Sequence, residues 1–149
     1  MEFREIKSLV QNLKQEYAAA LRDCPMAVVE DVDQERDWLV GALKLIVPDG
    51  SIWGFANATS LLDAQQEFGM VIVDGDLSSG QHGPQYMGDI RKKFPGAVVI
   101  ARTGNQLMLK QFQDEGVDLA FLKGQKGDPF DEIEAMLRVV VDKKCLAMG

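Results

Sequence analysis

Residues 70–74 read Met-Val-Ile-Val-Asp, four apolar residues that run directly into an aspartate. Because the run does not alternate, it predicts a strand buried on both faces, as in a parallel sheet covered by helices. Shorter or weaker runs of the same kind lie at 26–30, 51–55, 97–101 and 118–122, and helical patterns separate them. The sequence therefore predicts an α/β fold with a five-stranded parallel sheet, doubly wound by helices on both faces.

The connecting helices have recognisable ends. Asp33 is expected to cap the first helix after a strand, Ser60 and Asp63 have the spacing of a capping box, and Asn105 is a good N-cap. The predicted helices span 33–47, 60–68, 84–94, 105–115 and 128–142.

A further helix is predicted at residues 2–23, before the first strand. Its apolar residues follow the three-four spacing of a coiled coil, and Pro25 ends it. These residues are Phe3, Ile6, Val10, Leu13, Tyr17 and Ala20. The pattern fits a dimerisation helix, a helix that packs on its own domain, or a linker. We therefore divide the chain into an amphipathic helix at 1–25 and a domain at 26–149.

Composition excludes several classes of function. The chain has 149 residues, 16 Lys and Arg against 23 Asp and Glu, and a net charge of −7. This balance disfavours nucleic acid and anionic membranes as partners. No apolar run could span a bilayer, no signal peptide is visible, and two distant cysteines fit a cytoplasmic protein better than a disulfide framework. His82 is the only histidine, which disfavours a His-based metal site or a catalytic triad.

Charged and hydroxyl side chains follow the predicted strands at their carboxyl ends. Glu30 and Asp31 end the first strand, Asp74 the third and Lys123 the fifth, and Thr103 follows the fourth. In a parallel sheet these ends share one edge, where ligands bind. Clustered carboxylates favour Mg²⁺, beside which a carboxylate can attack phosphorus while a hydroxyl and an ammonium hold phosphoryl oxygens. The pattern predicts reversible phosphorylation of one aspartate.

Four segments together resemble the receiver domain of two-component response regulators. They are Val-Val-Glu-Asp-Val-Asp at 28–33, Val-Ile-Val-Asp at 71–74, Ile-Ala-Arg-Thr-Gly at 100–104 and Phe-Leu-Lys at 121–123. The resemblance covers about residues 26 to 142. It implies a cytoplasmic signalling domain that phosphorylates and dephosphorylates itself, with no activity on other substrates.

The resemblance also implies roles and partners. The phosphoryl group would come from a sensor histidine kinase or phosphotransfer protein and be lost by in-line attack of water. Movement of Thr103 and Lys123 would reshape one surface of the domain, formed by the receiver's fourth helix, fifth strand and fifth helix. This surface would contact a downstream protein. The implied roles are phosphoacceptor for Asp74, Mg²⁺ ligands for Glu30, Asp31, Asp74 and the backbone carbonyl of Asp76, and phosphoryl binding for Thr103 and Lys123.

The chain departs from the receiver pattern at several places, two of them close to Lys123. Gly124 stands where the family usually has a proline after the lysine, so the loop at 124–128 is expected to be freer. The family usually has an aromatic residue, coupled to the hydroxyl of the site, three residues before the lysine. This chain has Ala120 there. The aromatic is displaced to Phe121, which should point to the other face of the sheet.

Two other functions stay open at this point. The run Asp74-Gly75-Asp76-Leu77 resembles the start of haloacid-dehalogenase-like phosphatases, although an acidic pair upstream of that aspartate is the wrong chain order for them. A pseudo-receiver that acts as a pure interaction module fits the missing Lys-Pro and the displaced aromatic. Only seven residues follow residue 142, so a complete chain would signal by protein contact or dimerisation, whereas a fragment would have lost an output domain.

Overall fold

A computed structural model describes residues 2–74 and 83–148, with side chains described up to Lys143. Five parallel strands form one sheet in the order β2-β1-β3-β4-β5. The strands are β1 Met26–Val29, β2 Ile52–Phe55, β3 Met70–Asp74, β4 Val98–Thr103 and β5 Leu119–Leu122. Each predicted strand is present, and the predicted doubly wound α/β fold is confirmed.

Six α-helices accompany the strands in the described part of the chain. They are α1 Phe3–Leu21, α2 Asp33–Ile46, α3 Ala58–Leu62, α4 Met87–Lys93, α5 Gln106–Asp114 and α6 Pro129–Met148, with a 3₁₀ helix at Gly83–Tyr86. None of the helices in these residues is long and apolar enough to cross a membrane. The extra N-terminal helix is present, as predicted.

The sheet separates two apolar cores. Along β3, Met70 and Ile72 belong to one core, whereas Val71 and Val73 belong to the other, because side chains alternate across a strand. The first core contains buried residues of α1, α2 and α6, and the second those of α3, α4 and α5. Burial on both faces explains why β1 and the first four residues of β3 are all apolar.

The second half of α1 packs into the first core. Leu13, Tyr17 and Leu21 are buried there, and Glu16 lies 3.8 Å from Arg138 of α6. The first half is different, since Phe3 is 71% exposed. Leu13 and Tyr17 of the predicted a/d stripe therefore pack on the domain, but Ala20 is exposed and Leu21 is buried in its place. Nearer the N-terminus, Ile6 and Val10 are only partly buried.

The predicted start and cap of one helix were wrong. The helix predicted at 60–68 is the short α3, which Asn57 caps by accepting a hydrogen bond from the Ser60 amide at 2.8 Å. Beyond Asp63 the chain leaves the helix, and the Lys93 ammonium bonds the freed carbonyls of Leu62 and Ala64. A capping box at Ser60 and Asp63 is therefore excluded.

Asp33 is not the cap of α2, but its first residue. Its carboxylate accepts a hydrogen bond from Arg36, 2.5 Å away, and no side chain caps this helix. The predicted cap at Asn105 is confirmed, because its side chain accepts from the Leu107 and Met108 amides.

Packing of α1 generates a stability prediction. Leu21 is fully buried, so Leu21→Ala should lower the free energy of unfolding by about 2–5 kcal/mol, through lost apolar burial and the remaining cavity. Phe3→Ala on the same helix should change it by less than about 0.5 kcal/mol. Urea unfolding followed by circular dichroism measures both. Equal, small effects would show that α1 is not part of the folded core.

Candidate functional site

The carboxyl ends of β1 and β3 bring two acids together. Val29 pairs with Val73, so Glu30 and Asp74 are each the next residue along neighbouring strands. Glu30 is 4% exposed and Asp74 is 3% exposed, which is rare for carboxylates. Burying both requires a compensating positive charge or a proton nearby.

Lys123, directly after β5, supplies one positive charge. Its Nζ donates a hydrogen bond to Asp74 Oδ2 at 2.5 Å and lies 3.9 Å from Glu35 Oε2. The Lys123 amide donates to the carbonyl of Thr103 at 2.9 Å, so the ends of β4 and β5 are tied together. Thr103 is fully buried, and its Oγ1 accepts from the Asn105 amide at 3.1 Å.

The carboxylate of Glu30 is not hydrogen-bonded in this way. Neither of its carboxylate oxygens meets a hydrogen-bond donor within residues 2–74 and 83–148, although both are buried. One oxygen each from Glu30, Glu35 and Asp74 lies within 4.8 Å of the others. These three carboxylates, one of which has buried oxygens without a hydrogen bond, offer only oxygen ligands. A hard divalent cation such as Mg²⁺ prefers such ligands. The residues therefore fit a metal of this class.

The two other predicted metal ligands are placed differently. Asp31 is partly exposed and is not a member of the group formed by Glu30, Glu35 and Asp74. Asp76 lies outside the described residues. Their roles as Mg²⁺ ligands stay predictions.

Burial strongly perturbs the pKa of Glu30. Desolvation raises it, the adjacent carboxyl groups of Glu35 and Asp74 raise it further, and Lys123 opposes them, so that the pKa of Glu30 is about 10. Burial on its own lowers the pKa of Lys123, but the hydrogen bond and charge of Asp74, with Glu30, outweigh it and the pKa of Lys123 is raised. Without a cation, the site therefore holds a proton on Glu30 and an ion pair between Asp74 and Lys123.

Sequence reasoning missed Glu35, which lies in the first turn of α2. A helix that follows a parallel strand begins at the ligand-binding edge, so acids in its first turn are candidates for the same site. Glu132, in the first turn of α6 after β5, is a second example. Their position in a first turn would have marked both residues as candidates, together with Asp33 and Asp131.

A cavity of about 330 Å³ opens beside the carboxylates, between α2 and α6. Lys123, Arg102, Glu35 and Glu132 contribute charged groups to its wall. Its apolar lining comes from Trp38, Leu39, Pro129, Ile133 and Met136. Arg102, which pairs with Asp74 across β3 and β4, forms an ion pair with Glu132 at 3.1 Å.

The loop after Lys123 contains two glycines with positive φ and is held by hydrogen bonds. Gly124 and Gly127 have φ of +80° and +89°, which favour glycine, and Gly127 donates to the Gly124 carbonyl. The Gly124 amide donates to Glu132 Oε1 at 3.0 Å. That the loop is freer than one with proline after the lysine stays a prediction.

The displaced aromatic lies where the alternation of side chains predicts. Phe121 is buried in the core that contains α6, whereas Ala120 packs against the opposite core. The prediction that Phe121 points to the other face of the sheet is confirmed.

The raised pKa of Glu30 generates a prediction for the metal-free protein. Glu30 keeps its proton up to about pH 10 when folded, whereas unfolding returns its pKa to about 4.3. Unfolding therefore releases a proton between these values, and stability falls as pH rises, by up to about 1.4 kcal/mol per pH unit. Glu30→Gln should flatten this dependence and unfold at higher urea than wild type at about pH 8 in EDTA.

The matched control for this prediction is Glu67→Gln, at an exposed glutamate. It should leave both the pH dependence and the urea midpoint at wild-type values. A Glu30→Gln variant that is less stable than wild type at alkaline pH would contradict the assignment of the buried proton.

No family model and no curated protein matches the sequence. Solved structures do match it in fold. A response regulator protein from Burkholderia pseudomallei, solved with a phosphorylated aspartic acid and a calcium ion, has a TM-score of 0.67 at 18% identity, over 85% of this chain and 74% of that one.

A response regulator receiver domain protein from Clostridium thermocellum has a TM-score of 0.68 at 15% identity, over 83% of this chain and 98% of that one. A DNA-binding response regulator of the LuxR family from Staphylococcus aureus has a TM-score of 0.64 at 23% identity, over 79% and 98%. The chain therefore has the fold of response regulator receiver domains.

Proposed function

We propose that this chain is a cytoplasmic phosphoacceptor domain of a two-component system. Asp74 accepts a phosphoryl group, with Mg²⁺, from a sensor histidine kinase or phosphotransfer protein, and the change alters contacts with a downstream protein. One observation carries the proposal: the buried carboxylate of Asp74 lies 2.5 Å from the Lys123 ammonium, and one of its oxygens lies within 4.8 Å of an oxygen of the unsatisfied Glu30 carboxyl. The receiver fold of the structural neighbours supports it.

The chemistry follows from the charges at this edge. An oxygen of Asp74 attacks phosphorus, an O–P bond forms, and the bond from phosphorus to the donor's imidazole or acetate breaks, with its electron pair leaving on the donor. Lys123 and the Thr103 hydroxyl then hold phosphoryl oxygens. Burial strengthens these electrostatic contacts, because the local dielectric is low.

The metal ligands proposed are Glu30, Asp31, Asp74 and the backbone carbonyl of Asp76. Glu35 is a further candidate, since its carboxylate lies with those of Glu30 and Asp74. Bound Mg²⁺ supplies positive charge that allows a carboxylate and a phosphoryl group to approach each other. The chain's own contribution is to bury the acids, so that they gain from binding a cation.

The central test is phosphorylation by acetyl phosphate with Mg²⁺, followed by intact-mass measurement. Wild type should gain one phosphoryl group, and Asp74→Asn should gain none, because an amide is not a nucleophile toward phosphorus. Asp49→Asn is the matched control, since it removes the same charge at an exposed aspartate after α2 and should still be phosphorylated. Equal uptake by wild type and Asp74→Asn would contradict the assignment.

The same experiment separates the two alternatives. A phosphatase of the haloacid-dehalogenase kind would turn over a phosphate ester continuously and would lose turnover in Asp76→Asn. A pure interaction module would take up no phosphoryl group in any variant. The proposed domain is modified once at Asp74 and then loses the phosphoryl group to water.

We also propose that a second copy of this chain is a partner, through the N-terminal half of α1. The a/d stripe continues here beyond the part that packs on the domain, and the apolar surface of Phe3, Ile6, Val10 and Leu45 borders an open cavity. Phe3 is 71% and Leu45 63% exposed. A twin helix offers the same spacing of apolar residues in return.

Sedimentation velocity tests this pairing. Removing residues 1–24 would also strip the core of Leu13, Tyr17 and Leu21, so point variants are preferable. Wild type should sediment as a dimer and the double variant Phe3→Glu, Ile6→Glu as a monomer. Asn12→Glu, Gln15→Glu adds the same charge at exposed positions of α1 and should remain dimeric. A monomeric wild type would exclude the pairing.

A further inference from the structure

Glu132 is a buried carboxylate that the proposed phosphoryl transfer does not use. It lies in the first turn of α6 and is 4% exposed. Its two oxygens have different partners: Oε1 accepts from the Gly124 amide at 3.0 Å, and Oε2 lies 3.1 Å from Arg102 Nη2. A buried carboxylate is costly unless hydrogen bonds satisfy it, so both contacts are needed to keep it there.

The bond to Gly124 acts on the backbone of Lys123. The Gly124 amide and the Lys123 carbonyl belong to one rigid peptide plane. On the other side, the Lys123 amide donates to the Thr103 carbonyl at 2.9 Å. Both peptide groups that flank the Lys123 Cα are therefore held by hydrogen bonds, and together they fix the direction in which its side chain leaves the strand.

The bond to Arg102 connects the same carboxylate to the centre of the sheet. Arg102 lies on β4, next to Asp74 on β3 in the strand register. Its side chain is about one-fifth exposed, whereas that of Glu132 is 6% exposed. Glu132 is thus anchored to the strand beside the phosphoacceptor and, at once, to the peptide that follows Lys123.

We propose that Glu132 is the positioning residue for Lys123, holding its ammonium toward Asp74 through the Gly124 peptide. The inference rests on the proposed function of Asp74. In this proposal, a side chain of α6 restrains the loop that has glycine after the lysine. Any displacement of Lys123 would then also affect the first turn of α6.

The test compares three substitutions at Glu132. Glu132→Met fills the same space without an acceptor, and Glu132→Ala removes the side chain. Both should lower the maximal rate of phosphorylation by acetyl phosphate at least tenfold, with the half-saturating donor concentration unchanged. Glu132→Gln keeps an oxygen for the Gly124 amide and should restore the rate to within about threefold of wild type.

Glu134→Ala is the matched control on the same helix. Its carboxylate is partly exposed and forms an ion pair with Arg138, outside the site. This variant should phosphorylate at the wild-type rate. If Glu132→Met and Glu134→Ala react equally fast, Glu132 does not position Lys123.

Amide hydrogen exchange and side-chain NMR give a readout that needs no phosphorylation. Exchange at Gly124 should accelerate at least tenfold in Glu132→Met, and the Lys123 Cε signal should shift, whereas both remain at wild-type values in Glu134→Ala. If wild type takes up no phosphoryl group, the proposed function fails while these signals still decide the role of Glu132. Unchanged Gly124 exchange in Glu132→Met would overturn the inference.

Discussion

Glu30 and Asp74 lie buried beside each other, and Lys123 is the ammonium that reaches this pair within hydrogen-bond distance of Asp74. One positive charge cannot neutralise two carboxylates, and a net negative charge is costly in a buried site of low dielectric. The metal-free protein therefore keeps a proton on Glu30, whose pKa is about 10. A divalent cation would replace that proton and satisfy the oxygens that have no donor among the described residues. The proposed chemistry depends on this imbalance of charge.

Much of the fold was predictable, because burial on both faces of the sheet leaves a clear mark in the sequence. Val71, Ile72 and Val73 divide between two cores, so none of them can be polar, and Asp74 at their end was visible as an exception. The same logic found Glu30 and Lys123. Pattern reasoning works here because topology alone brings the ends of parallel strands together.

The features that the sequence did not predict have a different physical origin. Asn57 caps α3 where Ser60 was expected, because hydroxyl, amide and carboxylate side chains can all cap a helix and tertiary contacts decide between them. Glu35 and Glu132 reach the site from helices, and their contribution depends on how the first turn is rotated toward the edge. The restraint on the loop after Lys123 comes from a residue eight positions away from Gly124, which local sequence does not reveal.

The N-terminal helix illustrates how one pattern can serve two purposes. Its heptad stripe fitted a dimerisation helix, a helix that packs on its own domain, or a linker. In the structure, Leu13, Tyr17 and Leu21 pack with buried residues of α2 and α6. The part of the stripe that these helices do not cover includes Phe3. The boundary drawn at residue 25 separates two sequence patterns, yet α1 contributes side chains to the core of the sheet domain.

Titration with Mg²⁺, followed by amide NMR of the chain, tests whether the buried carboxylates bind a cation. Saturable shifts are expected at residues 30, 31, 74 and 123, with little change at the opposite ends of the same strands. Ca²⁺ should compete for the site, and Glu30→Ala should weaken binding. If these amides do not respond to Mg²⁺, or if the response is spread evenly over exposed acids, then the buried carboxylates do not form a cation site and the proposed phosphoacceptor chemistry loses its basis.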